Sequence, residues 1–324
     1  MMLLANTVTL IGGTGFVGKA VLNELSKAGY QTRVVVRRAE RFREFLLYPN
    51  TRLATLDSFD NAQQLQAAIQ GSDIVINLMA DRSTGTEMIE QADLTLANQH
   101  LKAAMESCHV KRVISLSQIG ADSNAPHADW FGELAEVDNL MHNTAKAAVT
   151  IVKAGLLIGE HDDSTQRFIN QINRAPLLMV ANSKTTVQPL WIKDFAKAFV
   201  SIIKDSATYG HKLEMVGEER LSFKELAQLT AEIMQKDAMV LPMCQLNAKV
   251  MSFLGAFAPM ATVSQAQNTQ LKKDMVSDSD FSTQFGFVPS SLESVISAYA
   301  APHHIRERYN YYRKEANRDR GELV

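Results

Sequence analysis

The sequence is poor in several things, and each absence excludes something. It has only two cysteines, Cys108 and Cys244. Their spacing fits neither a CxxC pair nor a zinc site, so both are expected as reduced thiols in a reducing compartment. There is no charge excess: 33 Lys and Arg stand against 35 Asp and Glu, a net charge of -2. That balance gives no electrostatic pull toward nucleic acid or an acidic membrane. No apolar run reaches about 18 residues, so no bilayer-spanning helix is expected. The opening "MMLLANTVTL" lacks a basic n-region and a long apolar stretch, so it does not read as a signal peptide. No repeat with a period of about 20–50 residues is visible.

What is present is ordinary globular composition. The 324 residues are 46% hydrophobic, enough for a sizeable core, and the length suits a large α/β domain with an added lobe. The first half alternates two patterns. Short β-branched runs, "TVTLI" (7–11), "TRVVV" (32–36), "TRLATL" (51–56), "DIVINLM" (73–79) and "RVISLS" (112–117), predict strands. Between them, Val17, Val21 and Leu25 recur at helical spacing. "AERFREFLL" (39–47), "NAQQLQAAI" (61–69) and a long segment from Glu87 to Ser107 also predict helices. Strands separated by helices imply a parallel sheet covered on both faces, a Rossmann-type doubly wound α/β fold. Ligands of such sheets bind at the carboxyl ends of the strands. After about Ala154 the pattern loosens into a smaller, mostly helical C-terminal lobe. There "DFAKAFVSIIK" (194–204) and "SFKELAQLTAEIMQ" (222–235) predict helices, the second opened by a Ser222/Glu225 capping box. The expected division is 1–154 for the nucleotide-binding domain, with 186–204 returning to it, 155–300 for the lobe, and a polar tail over 301–324.

Glycines 12, 15 and 18 form G-x-x-G-x-x-G directly after the first strand and inside the start of a helix. Such a turn brings backbone N–H groups to a pyrophosphate, and the third glycine lets helix and strand pack closely. The dinucleotide is expected along Gly12, Thr14, Gly15, Phe16, Val17 and Gly18. The second strand ends in Arg37 and Arg38, where an acidic residue would hold the ribose hydroxyls of NAD. Two cations there suit a 2′-phosphate, so NADP(H) is expected and NAD(H) is the weaker candidate. Asp57 and Ser58 follow the third strand. Asp57 either accepts from the adenine amino group or simply turns the chain. Leu78, Met79 and Ala80, in "NLMADRS", run alongside the cofactor after the fourth strand.

With the "VVVRR" ending, "SLSQIGAD" (115–122) and "QPLWIKDFAKAF" (188–199), these motifs resemble the short-chain dehydrogenase/reductase superfamily in its extended, atypical branch. The group around the nucleotide-binding accessory subunit of mitochondrial complex I and its bacterial relatives is the most similar. The resemblance covers roughly residues 6–300 and is most specific over the first 120. It implies a serine at the end of the fifth strand and a Tyr-x-x-x-Lys pair on the next helix, the tyrosine moving the proton and the lysine lowering its pKa. Ser117 matches the serine, which also faces the cofactor. Placed by the downstream acid Asp138, the tyrosine position holds Trp130 and the lysine position Leu134. Shifted by one residue, the pair becomes Asp129 and Glu133. No tyrosine occurs between Tyr48 and Tyr209, and Lys153-Ala154-Gly155 replaces the family's Arg-Pro.

Other candidates have bland readings beside the functional ones. His127 with Asp129 is either an acid–base pair or loop polarity. His161, Asp162 and Asp163 are a loose cluster better read as helix capping by Asp163 or Ser164, and no metal site is expected there or at His303-His304. Tyr309, Tyr311 and Tyr312 form either a docking face or part of a solvated tail. The Met-rich stretch 249–261 is either core or a surface for a membrane or partner. The chain is therefore expected to be an NADP(H)-binding structural, assembly or redox-sensing protein, attached to a protein complex or membrane surface through 249–261 or the tail. The alternative is a noncanonical NADPH-dependent oxidoreductase or isomerase acting on a quinone or lipid-like substrate. A nucleotide-sugar epimerase or dehydratase ranks third. The expected location is cytoplasmic, or peripheral at the inner face of a membrane.

Overall fold

The computed structural model describes residues 6–83, 94–126, 129–243 and 265–301. In the first half the β-branched runs become β1 (Thr7–Ile11), β2 (Gln31–Val36), β3 (Thr51–Thr55), β4 (Ile74–Asn77), β5 (Arg112–Gln118) and β6 (Ala148–Ala154). The amphipathic runs between them become α1 (Phe16–Lys27), α2 (Ala62–Ile69), α3 (Leu94–Ser107) and α4 (Trp130–His142). The second half supplies β7 (Leu157–Ile158), α5 (Thr165–Arg174), β8 (Leu177–Ala181), β9 (Thr186–Val187) and β10 (Leu190–Trp191). Then come α6 (Ile192–Ser201), β11 (Lys212–Met215), β12 (Leu221–Ser222), α7 (Phe223–Ile233) and β13 (Met239–Met243). Three further helices span Gln265–Gln270, Phe281–Phe285 and Leu292–Ala300.

Seven strands form one parallel sheet in the order β11-β6-β5-β4-β1-β2-β3. This is the Rossmann-type doubly wound arrangement, and its winding reverses between β1 and β4, where such sheets take their ligands. Every residue of β4 and β5 is buried, as a sheet with both faces covered requires. One face packs Val17, Val21 and Leu25 of α1 against Phe195 and Phe199 of α6. The other packs Leu65 of α2, Leu101 of α3 and Phe131 and Leu134 of α4. The lobe has its own core of Phe168, Phe223, Leu226 and Ile296.

Arg112 is a cation at the start of the fully buried strand β5. Its guanidinium donates to the carbonyls of Ile203 (3.2 Å), Ile202 (3.1 Å) and Ala148 (3.1 Å) and to Thr208 Oγ1 (3.1 Å). It also lies 4.3 Å over the Tyr209 ring. Burial pulls its pKa down to about 10. One side chain thus ties β5 to the segment that follows α6.

The structure departs from the sequence expectations in a few places. Residues 39–47 form a 3₁₀ rather than an α-helix, broken at Phe42 (φ -121°, ψ 27°). Phe45 is the buried side chain anchoring that segment, too little apolar face to hold regular α geometry. The helix expected from Glu87 is described from Leu94 onward, and its first residues lie outside the described ones. The capping box is present: Glu225 N–H donates to Ser222 Oγ at 3.2 Å, and Ser222 N–H donates to Glu225 Oε2 at 2.6 Å. The lobe also carries three two-stranded pairs, β7 with β10, β9 with β12 and β8 with β13. Two of these pairs are two residues long, too short for an alternating pattern to show. The stretch 249–261, His303, His304 and the three tail tyrosines lie outside the described residues.

Candidate functional site

The glycine turn sits at the reversal point of the sheet. Gly12 has φ +74°, and a Cβ there would lie 2.8 Å from the Leu78 carbonyl carbon and oxygen. A Cβ on Gly18 would lie 2.4 Å from the Gly13 carbonyl. Both glycines are therefore required by close backbone approach, of the turn to β4 and of α1 to the turn. Gly15 is the N-cap of α1 in extended conformation, with no side-chain cap of its own. Thr14 and Val17 are buried and Phe16 is half-buried.

The first amides of α1 are taken by the chain itself. Phe16 N–H donates to Ser83 Oγ at 3.0 Å, and Val17 N–H donates to Asp81 Oδ2 at 3.1 Å. Asp81 Oδ1 in turn accepts from Ser83 N–H at 2.9 Å. Asp81 is buried, and desolvation pushes its carboxyl up, while the hydrogen bonds from Ser83 and Val17 oppose that shift. Asp81 falls within the stretch Asn77 to Arg82 expected alongside the cofactor, while Ser83 was not singled out from sequence. The visible signal was an Asp-x-Ser after a strand, a turn former that caps its own or a neighbouring backbone.

Arg37 and Arg38, expected beside the adenosine, are exposed directly beyond β2. Past β3, Asp57 accepts from Gln64 Nε2 at 2.9 Å, and its own N–H donates to Gln64 Oε1 at 3.1 Å. Ser58 Oγ donates to Asp60 Oδ2 at 3.2 Å. Both side chains are engaged in the local turn, the structural of the two roles open to Asp57. Leu78, Met79 and Ala80 leave β4 with Met79 N–H donating to Asn77 Oδ1 at 3.1 Å. Asn77 is fixed by buried hydrogen bonds to Asn98 (2.7 Å) and Ser115 (3.2 Å).

Beyond the turn lies a cleft of about 100 Å³ lined by Phe16, Val17, Asp81, Arg82, Ser117 and Gln118, with Asp162 and Asp163 on its far wall. Pockets for drug-sized ligands usually measure about 300–1,000 Å³, so this cleft leaves little room for a substrate. Trp130 opens α4 and is 1% exposed, and Leu134 is 0% exposed. The indole Nε1 donates to Gln118 Oε1 at 2.9 Å, Gln118 Nε2 donates to the Gln270 carbonyl at 3.0 Å, and the Arg82 guanidinium lies 4.0 Å over the indole ring. One turn further along α4, Asp138 is buried beside the Ser117 hydroxyl. Desolvation pushes its carboxyl up to about 6, while the Ser117 hydroxyl and the charges of Lys153 and Lys212 pull the other way. Sequence reasoning used Asp138 only to set register; its spacing of four and eight from Leu134 and Trp130 was the signal that it faces β5. A larger cavity of about 400 Å³ also borders the glycine turn, lined by Gly15, Phe16, Lys19, His161, Trp191 and Tyr299 among others.

The cap of α5 differs from expectation. Asp162, not Asp163 or Ser164, caps α5: it accepts from the N–H groups of Gly159 (2.9 Å), Ser164 (2.6 Å) and Thr165 (2.6 Å) and from Thr165 Oγ1 (2.6 Å). Being buried, its carboxyl is pushed up to about 6. Ser164 stands at the N-cap position but makes no side-chain capping bond. Asp129 lies 3.4 Å from Lys272 Nζ, and His127 lies outside the described residues. No group of three or more metal-type side chains occurs among the described residues.

Residues 12–171 match the sequence model of a family described as NAD(P)H-binding. Over those residues the chain is similar to that family. It is similar to the mitochondrial NADH dehydrogenase [ubiquinone] 1 alpha subcomplex subunit 9 of Arabidopsis thaliana, at 25% identity over 236 residues, 70% of this chain and 58% of that protein. The chain spans 58% and 62% of the lengths of the first two such relatives. In fold it is similar to the Escherichia coli NADPH-dependent quinone oxidoreductase complexed with NADPH (TM-score 0.71, 15% identity, 90% of this chain and 99% of that one). It is also similar to Citrobacter triphenylmethane reductase complexed with NADP(H) (TM-score 0.70, 15% identity, 90% and 99%). The matched residues begin at the glycine turn and take in Ser117 and the Asp162 cap.

Proposed function

We propose that this chain binds NADP(H) and holds it for a structural, assembly or redox-sensing role rather than for dehydrogenase turnover. The observation that carries the reading is the glycine turn at the sheet's reversal point with Arg37 and Arg38 exposed at the adjoining strand end. Two guanidiniums in place of a carboxylate favour a 2′-phosphate. The role without turnover is supported by buried Trp130 and Leu134 at the tyrosine and lysine positions, and by the small cleft. Membership of a protein complex, with the lobe of residues 155–300 as the partner side, is part of the proposal. It is supported by the likeness to complex I subunits. The proposed setting is cytoplasmic or the inner face of a membrane.

The test is calorimetric titration with NADP⁺ and NAD⁺. Each charge-assisted hydrogen bond contributes roughly 1.5–3 kcal/mol. Arg37→Ala and Arg38→Ala should therefore weaken NADP⁺ by about ten- to a hundredfold and leave NAD⁺ nearly unchanged. Equal losses for both cofactors would remove the basis for NADP(H) preference.

A second reading, a reductase of quinone or lipid-like substrates, is favoured by one arrangement. Ser117 lines the cleft and is backed by a buried carboxyl that titrates near 6. Ser117 would pass its proton to a substrate oxygen and take one back from Asp138. NADPH oxidation with a quinone panel, lost in Ser117→Ala, would establish it over the first reading.

A further inference from the structure

The first-turn amides of a helix are the donors that hold a phosphate. Here Val17 N–H is held by a carboxylate and Phe16 N–H by a hydroxyl, both from the turn after β4. The carboxylate of Asp81 thus stands where an anionic ligand of this helix would stand. Its surroundings do not welcome a second anion. Asp162 and Asp163 line the same cleft, and the charge of Asp163 acts against that of Asp81.

The turn is also a unit. Asp81 Oδ1 accepts from Ser83 N–H, so residues 81–83 are closed on themselves, and Arg82 between them lies 4.0 Å over the Trp130 ring. Trp130 is the first residue of α4 and is joined through Gln118 to the lobe residue Gln270.

We propose that the Asp81–Ser83 turn is an internal competitor for the pyrophosphate site. A dinucleotide displaces Asp81 and Ser83 from Val17 and Phe16, and the displaced turn draws Arg82 away from Trp130. The proposal rests on the dinucleotide reading above and adds its regulation: affinity is held down by a built-in anion, and occupancy is transmitted to the head of α4. The competition follows from charge and donor count. Each amide has one proton to give, and a carboxylate within hydrogen-bond distance of that donor repels a phosphate arriving at the same place.

The experiment titrates NADP⁺ into the full chain by calorimetry and follows Trp130 emission in a Trp191→Phe background. Removing one charged competitor should tighten NADP⁺ by about ten- to a hundredfold in Asp81→Ala. A smaller gain is expected in Asp81→Asn, which keeps an acceptor for Val17 N–H and so guards against a folding defect. Saturation should also change the Trp130 emission. A residue that merely capped α1 would give the opposite sign, weaker binding on removal. Equal or weaker binding by both variants, with the parent binding measurably, overturns the proposal and leaves the dinucleotide reading standing. No binding by the parent or by either folded variant overturns both. Unchanged Trp130 emission at saturation overturns the transmission to α4.

Discussion

Asp138 lies two turns along α4 from Trp130, and its carboxyl holds a proton where ordinary carboxyls have released theirs. Its folded pKa, about 6, lies above the unfolded value near 3.9. The folded state therefore binds this proton more tightly, and the stabilisation is complete below about pH 4 and lost as pH rises through 6. Buried Asp162 acts in the same sense. Asp138→Asn should then be neutral near pH 4 and gain stability relative to the parent at pH 7, by on the order of 2 kcal/mol. Urea melts of both proteins at the two pH values measure this, and a difference independent of pH would contradict it. Gly15 gives a second prediction at this scale. Its backbone (φ -84°, ψ -170°) is open to any residue, so Gly15→Val should fold, with its circular dichroism unchanged. Its side chain would stand at the helix N-terminus where the proposed reading puts the pyrophosphate, and on that reading NADP⁺ binding should vanish from the titration.

Among the elements, β5 is tied by Arg112 to the segment that follows α6. Replacement by leucine would leave the Ile202, Ile203 and Ala148 carbonyls without the donor they now have, each at a cost of about 1–3 kcal/mol when buried. Arg112→Leu should lower the urea midpoint by the equivalent of about 3 kcal/mol or more, while Arg33→Leu, at a part-exposed site on β2, should cost less. The strands and helices of the first half were legible because their signals are local: β-branched runs, four-residue steps, a capping box. The 3₁₀ segment at 39–47 misled because its apolar residues repeat as in a helix while Phe45 is the one fully buried, Ala39 and Phe42 being only partly buried against the core. The two-residue strands of the lobe give no period to read. Asp162 was missed as the cap of α5 because three polar residues in a row offer equal candidates, and only the folded turn chooses among them.

For the molecule as a whole, the sheet order brings together what lies close in sequence, and the backbone approaches at Gly12 and Gly18 were readable from the glycine spacing. The bond from Val17 to Asp81 joins residues 64 apart, and no spacing rule announces it. On the proposed reading, which puts buried Trp130 and Leu134 at the acid–base positions, no appreciable turnover is expected on carbonyl, alcohol or nucleotide-sugar substrates. A positioned acid–base group contributes typically about 10²–10⁴-fold, and steady-state NADPH oxidation by the purified protein would show rates near background. The lobe is a third body beside the two layers around the sheet. Phe168, Phe223, Leu226 and Ile296 bury themselves apart from either layer. Trp191 packs against both the lobe and the α1–α6 layer, while Gln118 to Gln270 and Lys273 to Asp122 are polar ties. Such a seam opens at lower free energy than either core. Amide hydrogens of α7 should therefore exchange with deuterium through a sub-global opening that leaves those of β4 and β5 protected. The chain would come apart in two cooperative steps rather than one.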